Sequence, residues 1–280
     1  MSILQAIVLG LTQGVTEFAP ISSSGHLILV PWLFDWPILS DAELNKTFDV
    51  ALHIGTLVGG LFYFRRDIAR YLSAWIRSIR RRGIEGTDER LAWALVVGTI
   101  PGVIAGAALE GLIQDKLGQP WLIAVMLATF GVVLYVVDRR AAQQRHLADL
   151  GIRDGLWLGV AQALALQPGV SRSGVTITVA RAMGFDRTTA ARFSFLLSMP
   201  IIAGAGVYKG IDLARDGIPA GMGGAFAAGV IASAISGFLV IAFLLSYLRR
   251  HDFGVFLWYR LAAAAVCVGV IAAETRSATI

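Results

Sequence analysis

Charged residues are scarce in this 280-residue chain, at 15% of the sequence, whereas hydrophobic residues make up 56%. Soluble domains carry about 25% charged residues, so the composition excludes an ordinary soluble protein and predicts an integral membrane protein. Cysteine is almost absent: Cys267 stands alone in an apolar run, which excludes an internal disulfide. The first residues include no basic segment and no cleavage-type site, so we expect no cleaved secretory signal.

The positive charge of the chain is small and concentrated in clusters. The formal net charge is +5. Nucleic-acid binding explains short, separated basic clusters poorly, whereas the retention of loops on the cytoplasmic side of a membrane explains them well. The clusters are Arg65, Arg66, Arg70, Arg77 and Arg80–Arg82, then Arg139, Arg140 and Arg145, and finally Arg249 and Arg250.

The apolar segments predict the membrane spans. A bilayer core requires about 20 mostly apolar residues per helix. An even number of these spans separates each arginine cluster from the next, so all three clusters can lie in the cytoplasm and both termini outside. The predicted spans are roughly 48–64, 91–113, 119–137, 191–208, 221–248 and 253–273.

Two further apolar regions, about 2–36 and 152–185, are broken in the middle by proline and glycine. Proline removes a helix donor and clashes with the preceding turn, and glycine weakens a helix. Each region therefore predicts a half-helix, a loop and a returning half-helix. Such a re-entrant hairpin is tolerated at membrane depth only where protein or trapped water covers its backbone.

The two broken regions carry copies of one polar motif. Gln13 corresponds to Gln162, and Ser22–Gly25 corresponds to Ser171–Gly174, at a constant offset of 149 residues. One hairpin and three spans make up each copy, and three is odd, so the second copy would be upside down. Hairpins that enter from opposite faces would bring their tips together near the midplane, as in transporters with inverted repeats.

We therefore predict an all-α integral membrane protein with a single membrane domain over residues 1–280. The inverted repeats would cover about 2–137 and 152–273, each with one re-entrant helical hairpin plus three transmembrane helices. A cytoplasmic linker of about 138–151 would join them.

The two tips differ in their charged residues. The first has Glu17 and His26, and the second has Arg172. A charge at mid-membrane costs about 2.5–3.5 kcal/mol on insertion scales and usually marks function. Serine-led helix starts bind phosphate, and guanidinium matches phosphate oxygens. The tips thus predict a site for an anionic group. A structural alternative remains open, in which Glu17 and Arg172 only pair with each other and the serines only pack.

Three other polar residues have structural interpretations that need no bound ligand. Asp49 and His53 share a helix face, and Asp49 is interpreted as a cap or dipole partner at a helix start. Arg260 lies about two turns into the last span, and we expect it to snorkel towards the cytoplasmic surface.

Read in full, the motifs resemble the undecaprenyl-diphosphate phosphatase family, also called bacitracin-resistance proteins. Length and span pattern agree over essentially the whole chain. One departure is Gln13, where many members have a second glutamate, and it weakens any mechanism that needs two carboxylates there. The motifs read Gln13-Gly-Val-Thr-Glu17-Phe-Ala-Pro20-Ile-Ser22-Ser23-Ser24-Gly25-His26 and Pro168-Gly-Val-Ser171-Arg172-Ser173-Gly174.

The resemblance implies a hydrolase that converts undecaprenyl diphosphate to undecaprenyl phosphate and inorganic phosphate at the outer face of the bacterial plasma membrane. This reaction recycles the lipid carrier of cell-wall peptidoglycan synthesis and confers bacitracin resistance. The family uses a divalent cation, Mg²⁺ or Ca²⁺. By residue match, the catalytic set is Glu17, Ser23, His26 and Arg172. Candidate substrate-binding residues are Gln13, Ser22, Ser24, Gly25, Ser171, Ser173 and Gly174.

The roles within this set remain open at the level of sequence. Ser23 is the preferred nucleophile, with His26, about one turn further on, as its base or as a rival nucleophile. Three roles are open for Glu17: a base, the group that orients His26, or a metal ligand, because carboxylate oxygens suit hard cations. The main rival function is a transporter or flippase for phosphate or a lipid phosphate. His26 argues against it, because simple anion transport needs no general base.

Overall fold

A computed structural model describes residues 1–36, 38, 42–218 and 221–279, with the backbone alone at 42–43, 109–116, 208–209 and 211–216. The described residues form eleven α-helices, which confirms the predicted all-α class. Short 3₁₀ turns precede and follow the seventh. The helices are α1 (Ile3–Phe18), α2 (Ser23–Phe34), α3 (Ala42–Tyr63), α4 (Arg65–Arg81), α5 (Thr87–Lys116), α6 (Pro120–Arg140), α7 (Ile152–Ala163), α8 (Arg172–Ala182), α9 (Arg187–Asp216), α10 (Gly223–Tyr247) and α11 (Gly254–Ala272).

Within the described residues, five helical segments are long and apolar enough to cross a bilayer. A sixth candidate is the bent pair of α3 and α4, whose axes differ by 81°. The multi-pass membrane character is thus confirmed, and most predicted span boundaries agree within a few residues. The five segments are Thr87–Ala108, Pro120–Arg140, Arg187–Val207, Gly223–Tyr247 and Gly254–Ala272.

The predicted span 48–64 corresponds to α3, which begins earlier than the sequence suggested. Because α3 starts at Ala42, Asp49 lies about two turns inside the helix. The interpretation of Asp49 as a cap at a helix start is therefore wrong.

The first arginine cluster forms helix α4, which turns sharply away from α3. Two ion pairs attach α4 to the bundle: Arg70 lies 3.5 Å from Asp88 at the start of α5, and Arg192 of α9 lies 2.7 Å from Asp67. α4 is thus fixed against the first turns of α5 and α9.

The three arginine clusters lie at one end of the helical bundle, called here the arginine-rich end. Arg90, near the start of α5, donates a hydrogen bond to the carbonyl of Ala148 at 3.0 Å. Arg139, at the end of α6, lies 3.0 Å from Asp252, just before α11. These contacts join the loops after α4, α6 and α10, as the even number of intervening spans predicted.

Glycine brings α1 directly against α10. A Cβ at Gly10 would lie 2.3 Å from the carbonyl oxygen of Gly229, so only glycine allows this approach. At the other end of α1, the Phe18 ring packs against Gly237. α1 therefore runs beside the first half of α10 and ends near the middle of that helix.

Helix α2 runs away from the arginine-rich end. The Trp32 indole donates to the carbonyl of Ser277 at 3.0 Å, and Arg276 lies 3.2 Å from Asp35. Both partners follow α11, which starts at the arginine-rich end. The end of α2 and the C-terminal segment therefore meet at the opposite end of the bundle.

Helix α7 packs on α5 in the same manner as α1 on α10. A Cβ at Gly155 would lie 2.3 Å from the carbonyl oxygen of Ala94, and one at Gly159 would lie 2.2 Å from that of Gly98. The ascending order of both contacts shows that α7 and α5 run in the same direction. α7 thus starts at the arginine-rich end and runs inward.

Helix α8 returns to the arginine-rich end, where buried charges fix it. Arg181 is completely buried and donates to Asp138 of α6 at 2.7 Å. Arg187, at the start of α9, lies 2.9 Å from the same carboxylate. Because both arginines share one acid, this network fixes α6, α8 and α9 together.

Candidate active site

The two broken motifs form matching loops, called here the paired loops, at residues 19–22 and 167–171. Ser22 has a φ of 75° and caps α2, with its Oγ accepting from the Gly25 amide at 3.3 Å. Ser171 has the same φ and caps α8, with its Oγ accepting from the Gly174 amide at 3.1 Å. Of the three serines that could start the returning half-helix, the structure selects Ser22.

The paired loops bind each other directly. The Gly169 amide donates to Ser22 Oγ at 2.9 Å, and Ser173 Oγ donates to the Ala19 carbonyl at 3.1 Å. The structure thus brings together the two tips, which are far apart in sequence. The hydroxyls of Ser22 and Ser173 are used in holding the loops.

Glu17 is the centre of the polar network at the loops. Its Oε2 accepts from Ser23 Oγ at 2.5 Å and from Gln13 Nε2 at 3.1 Å, while its Oε1 accepts from Arg172 Nη2 at 2.7 Å. The carboxylate is buried. Three donors, one of them cationic, are the partners that an ionised carboxylate needs away from water. Glu17 is therefore an ionised acceptor that holds the Ser23 hydroxyl.

The structural alternative, in which Glu17 and Arg172 only pair with each other, is correct that the two side chains are in contact. It does not explain the remaining donors of Arg172. Arg172 uses one nitrogen on Glu17, and its Nε and Nη1 make no hydrogen bond within the described part of the chain. Its side chain remains 17% exposed. A guanidinium with spare donors at an accessible position can bind a further anion.

His53 is the residue of this site that sequence reasoning missed. Its Nε2 lies 3.7 Å from Glu17 Oε2, and its Nδ1 is 2.8 Å from the carbonyl of Asp49. Since a carbonyl only accepts, Nδ1 carries the hydrogen, and Nε2 faces the carboxylate. The sole signal was a histidine within an apolar span, and nothing in the sequence linked it to Glu17.

His26 contacts a different set of partners from this network. Its Nδ1 is 2.7 Å from the Ser22 carbonyl, its Nε2 is 2.8 Å from the Tyr259 hydroxyl, and the rings of His26 and Tyr259 stack at 5.5 Å. The Ser22 carbonyl requires a hydrogen on Nδ1, so neutral His26 accepts at Nε2 from Tyr259. The structure therefore brings Glu17, not His26, to the hydroxyl of Ser23.

The remaining candidates divide by accessibility. Ser23, Ser24 and Arg172 are half-buried. Gln13 is fully buried, and its Oε1 has no hydrogen-bond partner among the residues that the structure describes. The accessible groups thus include the Ser23 hydroxyl, which donates to Glu17, the adjacent Ser24 hydroxyl and the Arg172 guanidinium. The candidates that are buried in the paired loops or in the first turns of α2 and α8 are Ser22, Gly25, Ser171, Ser173 and Gly174.

Arg260 does not snorkel. Its exposed fraction is 0%, and it donates to the carbonyls of Pro20 at 3.1 Å and Gly169 at 2.7 Å. The prediction was wrong because the paired loops bury carbonyl oxygens beside α11, and these accept hydrogen bonds that a snorkelling arginine would seek from water.

A divalent cation held by protein alone needs several oxygen ligands, usually including more than one carboxylate. The described residues contain no group of three or more His, Cys, Asp or Glu side chains that could hold a metal. Glu17 already accepts from three donors, including an arginine. The residues present therefore do not fit a protein-built Mg²⁺ or Ca²⁺ site at Glu17.

Comparison with known proteins identifies the family. Residues 6–266 match the family described as "Bacitracin resistance protein BacA". A protein of Geobacter sulfurreducens named "Undecaprenyl-diphosphatase" is 48% identical over 275 residues, covering 98% of this chain and 100% of the relative. Proteins of the same name from Thermomicrobium roseum and Moorella thermoacetica are 46% and 47% identical, over 97% and 96% of this chain and 99% and 98% of the relatives. By sequence match over nearly its whole length, the chain belongs to the BacA bacitracin-resistance family.

Proposed function

We propose that this chain is an undecaprenyl-diphosphatase, which hydrolyses undecaprenyl diphosphate to undecaprenyl phosphate and inorganic phosphate. One observation carries the proposal: the Ser23 hydroxyl lies 2.5 Å from the Glu17 carboxylate, which is itself paired with Arg172. A serine hydroxyl that donates to a carboxylate base is suited to attack a phosphorus atom. A neighbouring guanidinium with free donors can stabilise the charge that develops on the phosphate oxygens. The shared name of the relatives, at 46–48% identity, supports the choice of substrate.

The proposed reaction has two steps. As Ser23 Oγ attacks the terminal phosphorus, Glu17 Oε2 takes its proton, and the bond from that phosphorus to the bridging oxygen breaks. Undecaprenyl phosphate leaves, and the phosphoryl group stays on Ser23. A water molecule then attacks the same phosphorus, which releases inorganic phosphate and returns the hydroxyl to Ser23. Glu17 passes the serine proton to the departing undecaprenyl phosphate, takes a proton from the attacking water in the second step and returns that proton to Ser23 Oγ as the bond from this oxygen to phosphorus breaks.

Arg172 is proposed as the phosphate clamp. Phosphoryl transfer depends mainly on positioning and on stabilising charge on the equatorial oxygens. The free Nε and Nη1 of Arg172 would bind those oxygens, together with the unbonded first-turn amides of α2 and α8 and the Ser24 hydroxyl.

The other candidates are proposed to support these groups rather than to react. Gln13 and His53 contact Glu17, and His26 holds the Ser22 carbonyl. Ser22 and Ser171 cap the two returning helices. In this proposal His26 is a positioning residue, since both of its nitrogens are engaged.

The divalent cation implied by the family resemblance has no assigned ligand in this proposal. Glu17 is engaged by Ser23, Gln13 and Arg172, so no step above passes through a metal on that carboxylate.

We also infer that the chain is one membrane domain of two inverted repeats, about 2–137 and 152–273, joined by a linker of about 138–151. Two observations support the repeat. Ser22 and Ser171 cap their helices at the same φ of 75°. In each copy a glycine, Gly10 or Gly159, packs on the backbone of a long helix. The ends of α2 and α8 lie at opposite ends of the bundle, which supports re-entrant hairpins of opposite direction.

The arginine-rich end is proposed to face the cytoplasm, by the positive-inside rule. The hairpin of α1 and α2 then enters from the outer face, and the diphosphate would reach Ser23 from that side. This arrangement suits a lipid carrier recycled at the outer leaflet of the bacterial plasma membrane.

Cysteine labelling tests the orientation. Single-cysteine variants Ser2→Cys, Ala278→Cys and Arg80→Cys would be made in a Cys267→Ala background. We expect a membrane-impermeant thiol reagent added to intact cells or spheroplasts to label the variants at 2 and 278, and to label that at 80 only after permeabilisation. Labelling at 80 in intact cells would reverse the proposed orientation.

Phosphate release by the purified chain tests the function. The substrate is a polyprenyl diphosphate in detergent micelles, and the key variant is Glu17→Gln, with Glu85→Gln on the exposed α4–α5 loop as matched control. Loss of a general base costs on the order of 10²–10⁴-fold in turnover. We expect that loss for Glu17→Gln and wild-type turnover for Glu85→Gln.

Two results would contradict the proposal. No phosphate release by the wild-type chain would remove the hydrolase function, and movement of a labelled lipid phosphate across vesicles without hydrolysis would favour the transporter. Unchanged turnover in Glu17→Gln would leave hydrolysis intact but remove the assigned base.

A further inference from the structure

Within the described part of the chain, every hydrogen bond of Arg260 goes to a main-chain carbonyl oxygen. Nε donates to Leu127 at 2.8 Å, Nη1 to Pro20 at 3.1 Å and Nη2 to Gly169 at 2.7 Å. Nη2 also lies 3.2 Å from the carbonyls of Met126 and of Val170. One guanidinium of α11 thus binds α6 and both paired loops at once.

This arginine has no carboxylate partner among the described residues. The other completely buried arginine, Arg181, contacts Asp138 at 2.7 Å. Burial of a cation without an acid is costly, and the carbonyl dipoles compensate for it. A plain packing role would not require this cost, because an apolar side chain of similar volume fills such a space at less expense.

Two glycines make room for the guanidinium. A Cβ at Gly131 of α6 would lie 3.3 Å from the Arg260 side chain, and a Cβ at Gly174 would lie 3.2 Å from Nη1. Gly174 belongs to the second polar motif. A side chain at this position would crowd the Arg260 guanidinium, which partly explains the glycine. The motif and α11 are therefore adapted to each other.

The loop positions bound by Arg260 lie close to the proposed reacting groups. Pro20 precedes Ser23 by three residues, and Val170 precedes Arg172 by two. A change in the spacing of the loops would change the distance between the serine hydroxyl and the guanidinium clamp. Misplacement by about 1 Å can reduce turnover by about 10²-fold.

We propose that Arg260 is a positioning residue that sets the spacing of the paired loops, and with it the distance between Ser23 and Arg172. The proposal rests on the proposed function for its kinetic consequence, but its structural part does not. The planar spread of donors matters as well as the charge, because one nitrogen reaches the first loop and another reaches the second.

The test compares Arg260→Met and Arg260→Lys with Arg181→Met. Arg181 is equally buried but lies at the arginine-rich end, so its variant controls for the loss of a buried arginine. Each purified variant would be measured by thermal unfolding, by steady-state phosphate release from a polyprenyl diphosphate and by amide hydrogen exchange. Turnover is expressed per folded protein.

We expect both Arg260 variants to lower kcat by about 10²-fold, with KM within about threefold of wild type, because the clamp is displaced rather than removed. Arg181→Met should keep wild-type kcat per folded molecule even if its unfolding temperature falls. Amides at 19–26 and 167–175 should exchange faster in the Arg260 variants only, because the hydrogen bonds from Arg260 no longer restrain local opening of the loops.

Three outcomes would overturn the proposal. Wild-type kcat in Arg260→Lys would show that charge alone suffices, and an equal kcat loss in Arg181→Met would show a general effect of stability. Unchanged exchange at both loops in Arg260→Met would remove the spacing role whatever the activity. If the wild-type chain released no phosphate, the proposed function would fail, while the exchange comparison would still decide the role of Arg260. If Arg260→Met did not fold, Arg260→Lys would be read against the same control.

Discussion

Replacement of Ser23 by alanine is expected to lower kcat for phosphate release on the order of 10⁴-fold or more, the scale seen when a nucleophilic serine is removed. Of the three neighbouring serines, Ser23 alone donates its hydroxyl to Glu17, at 2.5 Å. Alanine removes the attacking oxygen and leaves the Glu17–Arg172 pair in place. Steady-state phosphate release at saturating substrate measures the effect.

Ser24→Ala is the matched control for that variant. Ser24 is adjacent and half-buried like Ser23, but its hydroxyl makes no hydrogen bond within the part of the chain that the structure describes. We expect its kcat to stay within about tenfold of wild type, the scale of one lost weak contact of about 1.4 kcal/mol. Greater loss in Ser24→Ala than in Ser23→Ala, or a phosphoenzyme trapped on His26, would reverse the assignment.

Arg172→Lys is expected to reduce kcat on the order of 10²–10³-fold, the cost of removing one transition-state donor in other enzymes. Lysine keeps the charge but concentrates it at one point, so it cannot hold Glu17 and grip phosphate oxygens in the planar manner of arginine. The substitution therefore separates geometry from charge at the proposed clamp.

The measurement is again phosphate release at saturating substrate, together with thermal unfolding. Arg66→Lys, at an exposed position of α4, is the matched control and should behave as wild type. Near-full activity of Arg172→Lys would exclude the bidentate clamp. A loss of activity that parallels a loss of folded protein would indicate a structural role for the Glu17–Arg172 pair.

Much of the local structure was predictable because it depends on short-range chemistry. Proline and glycine interrupt the two motif regions, and the helices break there. A serine next to each break was expected as an N-cap, and Ser22 and Ser171 take that role. The arginine clusters predicted which loops share one end of the bundle, and Arg90 and Arg139 make contacts that join them.

The contacts of individual side chains were less predictable. His26 follows Ser23 by nearly one turn, yet its ring turns to Tyr259 of the last helix. His53 carried no recognisable motif, yet it lies 3.7 Å from Glu17. Arg260 was expected to reach towards water and instead binds buried carbonyls. Each of these contacts joins a residue to a partner far away in the chain.

The sequence by itself determined the membrane environment, the helical class, the two helix breaks and the family, because composition, proline, glycine and short motifs act locally or through hydrophobicity. Only the tertiary structure decided that Glu17 rather than His26 contacts Ser23, and that Arg260 binds both loops. The physical reason is that hydrogen-bond partners in a helical bundle are selected by the packing and rotation of whole helices. Those depend on close approaches such as that of Gly10 to Gly229, which join residues far apart in the chain.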